Sequence, residues 1–259
     1  MNAANNTGSY NLSQLMVTAA AREVADGEVV FVGMRLPLLG FLLAKSTHAP
    51  GAVGVYELGI VRDTPAAEPL MTMGDLPNLC RAQWLADTAD AMGLLQQGAV
   101  DLSFIGGAQV DRYGNLNTSY IGGIKKVETR LPGSGGACDV ASFVGRTIIF
   151  MQHEKRKFVN RLDYLTSPGW LQGAGRREQA GLAAGGPSVV ITNMAVMAFD
   201  DTTREMYLMA VFPGIAPAQV LDHMEFKVDI SRAQTFAPPS AAELAILREK
   251  CDPQRLILG

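Results

Sequence analysis

The stretch VVFVGMRLPLLGFLLA, residues 29–44, decides the fold class. Its first four residues are apolar and mostly β-branched, which predicts a short buried strand, and Gly33 then lets the chain turn. Pro37 suits the first turn of a helix, so we expect a buried helix that runs through Leu43. The stretch contains Arg35 and is shorter than the ~20 residues that span a bilayer, so it does not predict a membrane helix.

Strands and helices alternate along the first two-thirds of the chain. Further short apolar strands are predicted at residues 53–56, 102–105, 147–151 and 188–192. Helices are predicted around residues 12–19 and 90–97, and near the end of the chain from Pro217 and Ser240. This alternation predicts an α/β fold with a mostly parallel open sheet flanked by helices.

Two other segments depart from that pattern. Residues 197–199 and 205–211 flank a polar turn and predict a hairpin, which gives the sheet an antiparallel C-terminal part. The three prolines within residues 63–77 predict a long ordered loop. No linker divides the sequence, so we expect a single domain of residues 1–259.

Composition and charge exclude several classes of protein. The net charge is −3 and no long basic run is present, which argues against a nucleic-acid partner. Cys80, Cys138 and Cys251 form no Cys-x-x-Cys pair, so neither a disulfide framework nor a zinc site is expected. The polar residues 1–11 lack the basic start of a signal peptide. We therefore expect a cytoplasmic protein with no membrane partner.

Glu57 is the first candidate for chemistry. It follows the predicted strand at residues 53–56, and ligand sites in open α/β sheets lie beyond the carboxyl ends of the strands. A carboxylate there serves as a base or as a nucleophile. From position alone, a carboxylate that faces water or pairs with a lysine is the more frequent arrangement.

Two glycine clusters are further candidates. Gly135 and Gly136 lie in the segment Gly-Ser-Gly-Gly-Ala of residues 133–137, and Gly106 and Gly107 follow the predicted strand at residues 102–105. Glycines let backbone N–H groups approach an oxyanion or a phosphate closely. Neither cluster matches a dinucleotide fingerprint or a P-loop, and a tight turn is the alternative for both.

Several segments, in order along the chain, together resemble the β subunits of class I coenzyme A transferases. These segments are residues 31–40, 56–59 (Tyr-Glu-Leu-Gly), 104–115 (Phe-Ile-Gly-Gly-Ala-Gln-Val-Asp-Arg-Tyr-Gly-Asn) and 133–137. Residues 151–158, 163–164 and 166–170 resemble in particular the glutaconate CoA-transferase B subunits of that family. The resemblance covers nearly the whole chain.

The resemblance implies a role for each candidate. Glu57 is then the nucleophile, which forms a glutamyl-CoA thioester, and Gly135 and Gly136 hold the oxyanion. Gly33, Gly106 and Gly107 then belong to the substrate-binding site.

Two residues depart from the family pattern. Arg35 replaces a residue that is often a small one in the family, so it either binds a second carboxylate of a diacid or narrows the pocket. Leu58 follows the glutamate in place of serine or asparagine, which makes the surroundings of Glu57 more apolar.

The resemblance also implies a larger α subunit as partner, in a heterotetramer or a larger assembly. The substrates are then an acyl-CoA and a carboxylic acid such as glutaconate, and no metal or redox cofactor is required. Two alternatives stay open at this point. Relatives on the same scaffold act as hydrolases or decarboxylases on CoA esters, and a non-catalytic subunit that stabilises its partner is the other alternative.

Overall fold

A computed structural model describes residues 10–183 and 185–259 of the chain. Its strands, in chain order, are β1 (Val29–Phe31), β2 (Val53–Tyr56), β3 (Ile60–Arg62), β4 (Trp84–Leu85), β5 (Leu102–Ile105), β6 (Gln109–Val110), β7 (Leu116–Asn117), β8 (Tyr120–Gly123), β9 (Lys126–Arg130), β10 (Arg146–Phe150), β11 (Pro187–Ile191), β12 (Ala195–Phe199), β13 (Met206–Val211) and β14 (Gln234–Thr235). The helices are α1 (Leu12–Arg22), α2 (Leu36–Ser46), α3 (Leu76–Leu79), α4 (Thr88–Gln96), α5 (Ala137–Phe143), α6 (Arg176–Gln179), α7 (Pro217–Asp222) and α8 (Ala241–Ile246), and a π-helical turn (Leu247–Cys251) follows α8.

In the described part of the chain, ten strands form one sheet in the order β14-β13-β12-β11-β10-β5-β1-β2-β3-β4. The five central strands, from β11 to β2, run parallel, so their carboxyl ends meet at one edge. The chain passes from β1 to β2 on one side, whereas β5 pairs with β1 on the other side. In sheets of this kind, ligands bind beyond the carboxyl ends of the strands at such a change of direction, which here are β1 and β5.

Helices cover the central strands on both faces. Leu15 of α1 and Leu38 of α2 pack with Val30 in one hydrophobic cluster. Leu95 of α4 and Val140 of α5 belong to a second cluster on the opposite face. The sheet is therefore the middle of three layers, and α1, α2, α4 and α5 bury apolar side chains against it.

The predicted fold class is confirmed, and most predicted strands lie within one residue of the observed ones. The predicted antiparallel C-terminal part is observed in β12 and β13, and the sequence did not indicate that the sheet has a second antiparallel part. β3 and β4 pair antiparallel beyond β2 and form the other end of the sheet. They are three and two residues long, which is too short for an alternating pattern to stand out in the sequence.

The predicted loop at residues 63–77 is observed, with the short helix α3 at its end. Arg62, which is 3% exposed, organises it: the guanidinium donates hydrogen bonds to the carbonyl oxygens of Thr64, Asn78 and Cys80 at 3.0, 2.6 and 2.7 Å. The hydrogen bonds of a buried cation thus hold this loop in place, where regular secondary structure is lacking.

The prediction about a signal peptide concerns residues 1–11, and residues 1–9 lie outside the described part. Within residues 10–183 and 185–259, no helix combines the length and the apolar character needed to cross a membrane.

Candidate active site

Glu57 stands in the tight turn that joins β2 to β3. The N–H of Gly59 donates to the carbonyl oxygen of Tyr56 at 2.9 Å and closes this turn. Gly59 has φ 87, and a Cβ on it would lie 2.5 Å from the carbonyl carbon of Ala86, so only glycine fits. The turn therefore fixes the half-buried Glu57 at the carboxyl edge of the sheet, where the sequence predicted it.

The glycine loop before α5 meets Glu57. A Cβ built on Gly136 would lie 3.0 Å from Oε1 of Glu57 and 3.0 Å from Cε of Met92 on α4. Gly135 has φ 49, in the left-handed region that favours glycine, and its Cβ would lie 4.0 Å from the same carboxylate oxygen. The structure thus brings the two strongest sequence candidates into contact.

The groups that meet in this contact are available to interact with a substrate. Around the loop, the N–H of Gly133 donates to the carbonyl oxygen of Thr118 at 2.8 Å, and the Ser134 carbonyl oxygen accepts from Ala137 at 3.0 Å. Within the described residues, by contrast, the N–H groups of Gly135 and Gly136 and the carboxylate of Glu57 make no hydrogen bond. A free carboxylate beside free backbone donors suits attack on a carbonyl whose oxygen then becomes negative.

The other predicted glycines lie at the same edge, with different surroundings. Gly33 follows β1, where a Cβ would lie 3.2 Å from Pro37, so the start of α2 packs closely on it. Gly106 follows β5 and is exposed. A Cβ on Gly107 would lie 2.9 Å from the Leu116 side chain, so close packing under the β6–β7 hairpin accounts for this glycine.

Arg35 is exposed at the start of α2, beyond the carboxyl end of β1. Its φ of 65 and ψ of −124 are values that residues with a side chain rarely adopt, and such strain is often found at functional sites. Within the described residues its guanidinium has no hydrogen-bond or ion-pair partner. β1 and β2 are parallel neighbours, so Arg35 and Glu57 follow adjacent strands at the same edge.

Exposed apolar side chains lie in the Glu57 turn and in the two segments beside it, and together they are called the apolar rim. Leu58 is 49% exposed, and a Cβ on Gly74 would lie 3.3 Å from its Cδ1, so the loop held by Arg62 packs beside it. β4 continues this rim, since Leu85 pairs with Ile60 next to the turn. The exposed apolar side chains of this rim are Leu58, Met71, Leu76, Leu79, Trp84 and Leu85.

His153 follows β10 at the same edge but is part of the core. It is 3% exposed, stacks on Phe158 with ring centroids 4.3 Å apart, and its Nε2 lies 3.0 Å from the carbonyl oxygen of Val220. Burial lowers its pKa to about 4, so the ring is neutral at physiological pH. In the described ranges no three His, Cys, Asp or Glu side chains form a group able to hold a metal ion.

Comparison with known proteins identifies the family. The family model described as coenzyme A transferase matches residues 14–223. The chain belongs to the coenzyme A transferase family. The B subunit of glutaconate CoA-transferase from Acidaminococcus fermentans is 38% identical to it, over 95% of this chain and 94% of that protein. In the crystal structure of that glutaconate enzyme, one chain superposes with a TM-score of 0.91 at 36% identity, over 97% of this chain and 98% of that one.

Two further relatives show that proteins similar to this chain are named for different reactions. The B subunit of 3-oxoadipate CoA-transferase from Pseudomonas knackmussii is 34% identical over 93% of each chain. The cholesterol ring-cleaving hydrolase IpdB subunit of Mycobacterium tuberculosis is 28% identical over 94% of this chain and 96% of that protein. The chain is thus a B subunit of the coenzyme A transferase family and has the fold of the glutaconate enzyme.

Sequence reasoning missed two residues that shape this candidate site. Met92 belongs to a predicted helix, and helical spacing shows that it is partly buried but not that it faces Gly136. Arg62 is a charged residue with no motif around it, so nothing in the sequence indicates that backbone carbonyls surround it. Both were missed because their partners are distant in sequence or belong to irregular backbone.

Proposed function

We propose that this chain is the subunit of a two-subunit CoA-transferase that carries the nucleophile, and that Glu57 is that nucleophile. One observation carries the proposal: the unpartnered Glu57 carboxylate lies against Gly136, beside backbone N–H groups that have no acceptor in the described structure. The enzyme then moves CoA from an acyl-CoA donor to a carboxylic acid acceptor.

The proposed reaction divides one difficult exchange into steps. The Glu57 carboxylate attacks the thioester carbonyl and expels the CoA thiolate, which leaves a mixed anhydride. The thiolate then attacks the glutamyl carbonyl and releases the donor acid as its carboxylate, so that a glutamyl-CoA thioester remains. The acceptor carboxylate reverses these steps. No net proton or electron is transferred, so the reaction requires neither a metal nor a redox cofactor.

In this scheme the glycine loop stabilises the tetrahedral intermediates. Each attack converts a carbonyl oxygen into an oxyanion beside Glu57, and the N–H groups of Gly135 and Gly136 are the nearby donors. Removing one such donor typically costs about 3 kcal/mol of transition-state stabilisation. In the same proposal, the exposed Gly106 borders the space that admits the acyl group, while Gly33 and Gly107 let α2 and the β6–β7 hairpin pack close to it.

The acceptor in this proposal is a dicarboxylic acid. Glutaconate and 3-oxoadipate, in the names of two relatives, are both dicarboxylic acids. Arg35 offers an unpartnered guanidinium at the same edge as Glu57, and a guanidinium binds a carboxylate in a bidentate manner. We propose that one carboxylate of the acceptor reacts at Glu57 while Arg35 binds the other.

A partner subunit is part of the proposal. The relatives are named as B subunits, which implies a second kind of subunit. The apolar rim beside Glu57 supports this, because Leu76 and Leu85 are 74% and 56% exposed and exposed apolar surface often marks the site of a protein partner. We propose that the α subunit packs on this rim and closes the site over Glu57.

Mass spectrometry of the complex tests the proposed intermediate. The chain, purified with its partner subunit, is incubated with glutaryl-CoA or acetyl-CoA and quenched with borohydride, which reduces a glutamyl thioester to an alcohol. A CoA adduct or the reduced residue at Glu57 supports the proposal. Consumption of the thioester with Glu57 unmodified contradicts it.

A hydrolase is the second candidate, because the ring-cleaving hydrolase subunit matches almost the whole chain. Product analysis with labelled acceptor acid separates the two, since a transferase forms the acceptor's CoA ester and a hydrolase forms free CoA. Glu57→Gln is expected to abolish transfer, while Glu128→Gln, on the exposed strand β9, serves as the control. Transfer that survives in Glu57→Gln would remove Glu57 from the proposal.

A further inference from the structure

We infer that the buried Arg177 is a positioning residue, which holds α5 so that the glycine loop stays against Glu57. The effect on catalysis that this inference predicts rests on the proposed function. The contact geometry from which it follows is independent of the reaction.

Arg177 joins α5 to a distant loop. Its side chain is 1% exposed. Nη2 donates to the carbonyl oxygen of Ala141 in α5 at 3.0 Å, and Nη1 donates to the carbonyl oxygens of Gly169 and Pro168 at 2.9 and 3.2 Å. One guanidinium therefore bridges two segments that no shared strand or helix connects.

α5 depends on such a bridge. The helix has seven residues, and Ala141 lies in its last turn, where carbonyl oxygens lack a donor within the helix. A cation at this end satisfies a free carbonyl and interacts favourably with the helix dipole. Because α5 begins directly after Gly136, a shift of the helix moves Gly136 relative to Glu57.

The loop at the other end of the bridge is itself held by hydrogen bonds from a third segment. The Asn115 side chain accepts hydrogen bonds from the N–H groups of Gly169 and Leu171 at 2.8 and 3.1 Å, and it donates to Asp111 at 2.8 Å. The Asp111 carboxylate in turn accepts from the backbone N–H of Tyr113 and of Asn115. The Val-Asp-x-x-x-Asn segment thus holds the loop whose carbonyl oxygens accept hydrogen bonds from Arg177.

The burial of Arg177 is costly unless it is compensated. In the described structure no carboxylate forms an ion pair with it, and its Nε–H has no acceptor. Backbone carbonyls, together with the Trp170 ring 5.9 Å from Cζ, compensate the charge, so the guanidinium must keep its geometry to keep its hydrogen bonds. Lysine carries the charge but, as a single compact ammonium, cannot span both segments with the same geometry.

The test compares Arg177→Lys and Arg177→Met with Lys45→Met in the complex with the partner subunit. Lys45 is a matched control, because it is 8% exposed and donates to the carbonyl oxygens of Pro50 and Ala52 at 2.7 and 2.6 Å, before the amino end of β2. Both Arg177 variants should lower kcat about 10–100-fold with little change in KM for acyl-CoA, because a misplaced donor slows the chemical step. Lys45→Met should lower Tm without this loss of kcat.

Amide hydrogen exchange gives a readout that does not depend on the reaction. The rate of exchange in residues 133–143 should rise about tenfold in the Arg177 variants, because the helix opens locally more often, and should stay unchanged in Lys45→Met. Unchanged exchange, or an equal loss of kcat in Lys45→Met, would overturn the positioning role. If wild type forms no adduct at Glu57, the proposed function fails, while the exchange result still decides whether Arg177 holds the loop.

Discussion

The carboxylate of Glu57 and the backbone of Gly136 are so close that a methyl group on Gly136 would lie 3.0 Å from Oε1 of Glu57. The same methyl group would lie 3.0 Å from Cε of Met92. Both distances are shorter than ordinary van der Waals contact between carbon and a non-bonded atom. Glycine at position 136 therefore leaves room for the carboxylate of Glu57.

Gly136→Ala is expected to lower kcat about 10–100-fold without unfolding the protein. Alanine readily adopts the φ of −78 and ψ of −3 found there, so the added methyl group acts by displacing Glu57 or Met92. Steady-state kinetics and thermal unfolding measure the two effects. Gly93→Ala in α4 is the control, because its Cβ would meet nothing closer than Gln97 at 3.7 Å. A similar loss of kcat in both variants would contradict the steric explanation.

Arg35→Gly is expected to change stability and specificity in opposite directions. Glycine relieves the strained backbone, which stabilises the protein by roughly 1–3 kcal/mol. Loss of the guanidinium should raise KM for dicarboxylic acceptors about 10–100-fold, since a charge-assisted hydrogen bond contributes roughly 1.5–3 kcal/mol. Monocarboxylic acceptors should be unaffected.

Arg255→Gly provides the comparison for this prediction. Arg255 is exposed and also has a positive φ, of 54, but it lies close to the C-terminus. It should gain stability without any change in acceptor preference. If Arg35→Gly kept the same ratio of dicarboxylic to monocarboxylic turnover as wild type, Arg35 would not be the second carboxylate site.

Leu76→Glu is expected to weaken assembly with the α subunit while leaving the isolated chain folded. Leu76 is 74% exposed, so the charge costs nothing in the free chain but would be buried if the apolar rim is the interface. Co-purification and analytical ultracentrifugation measure the loss. Ile230→Glu serves as control, because Ile230 is 39% exposed and lies near β14, at the opposite end of the sheet from β4. Normal assembly of Leu76→Glu would place the interface elsewhere.

His153 should make the protein less stable in mild acid. Burial lowers its pKa from 6.5 to about 4 in the folded state, so between these values the unfolded chain binds more protons than the folded one. The contribution to stability is complete above pH ~6.5 and is lost as the pH falls towards 4. Between pH 7.5 and 5.0 the loss from this residue is on the order of 2 kcal/mol.

Urea unfolding of His153→Gln at both pH values measures this effect. The variant should be less stable than wild type at pH 7.5 but should lose about 2 kcal/mol less on acidification. If His153→Gln and wild type lost equal stability, the pH dependence would come from other groups.

Local patterns in the sequence were enough to predict the central strands and several helices. Apolar runs such as residues 53–56 are bounded by turn residues, and their strand or helix character depends mainly on neighbours within a few positions. The place of Glu57 after β2 follows from that interpretation, and so does its place at the carboxyl edge. Its proposed role as nucleophile came from the family resemblance and stays a prediction.

Only the tertiary structure determined which of those elements contact one another. The contact between Glu57 and Gly136 depends on how β3, β4 and α4 return the chain before β5, and no local pattern specifies that path. Arg62 and Arg177 carry a charge, which in sequence predicts exposure, yet each is buried because backbone carbonyls from distant segments surround it. Short-range propensity determines the elements, whereas long-range packing and the solvation of buried charge determine the site.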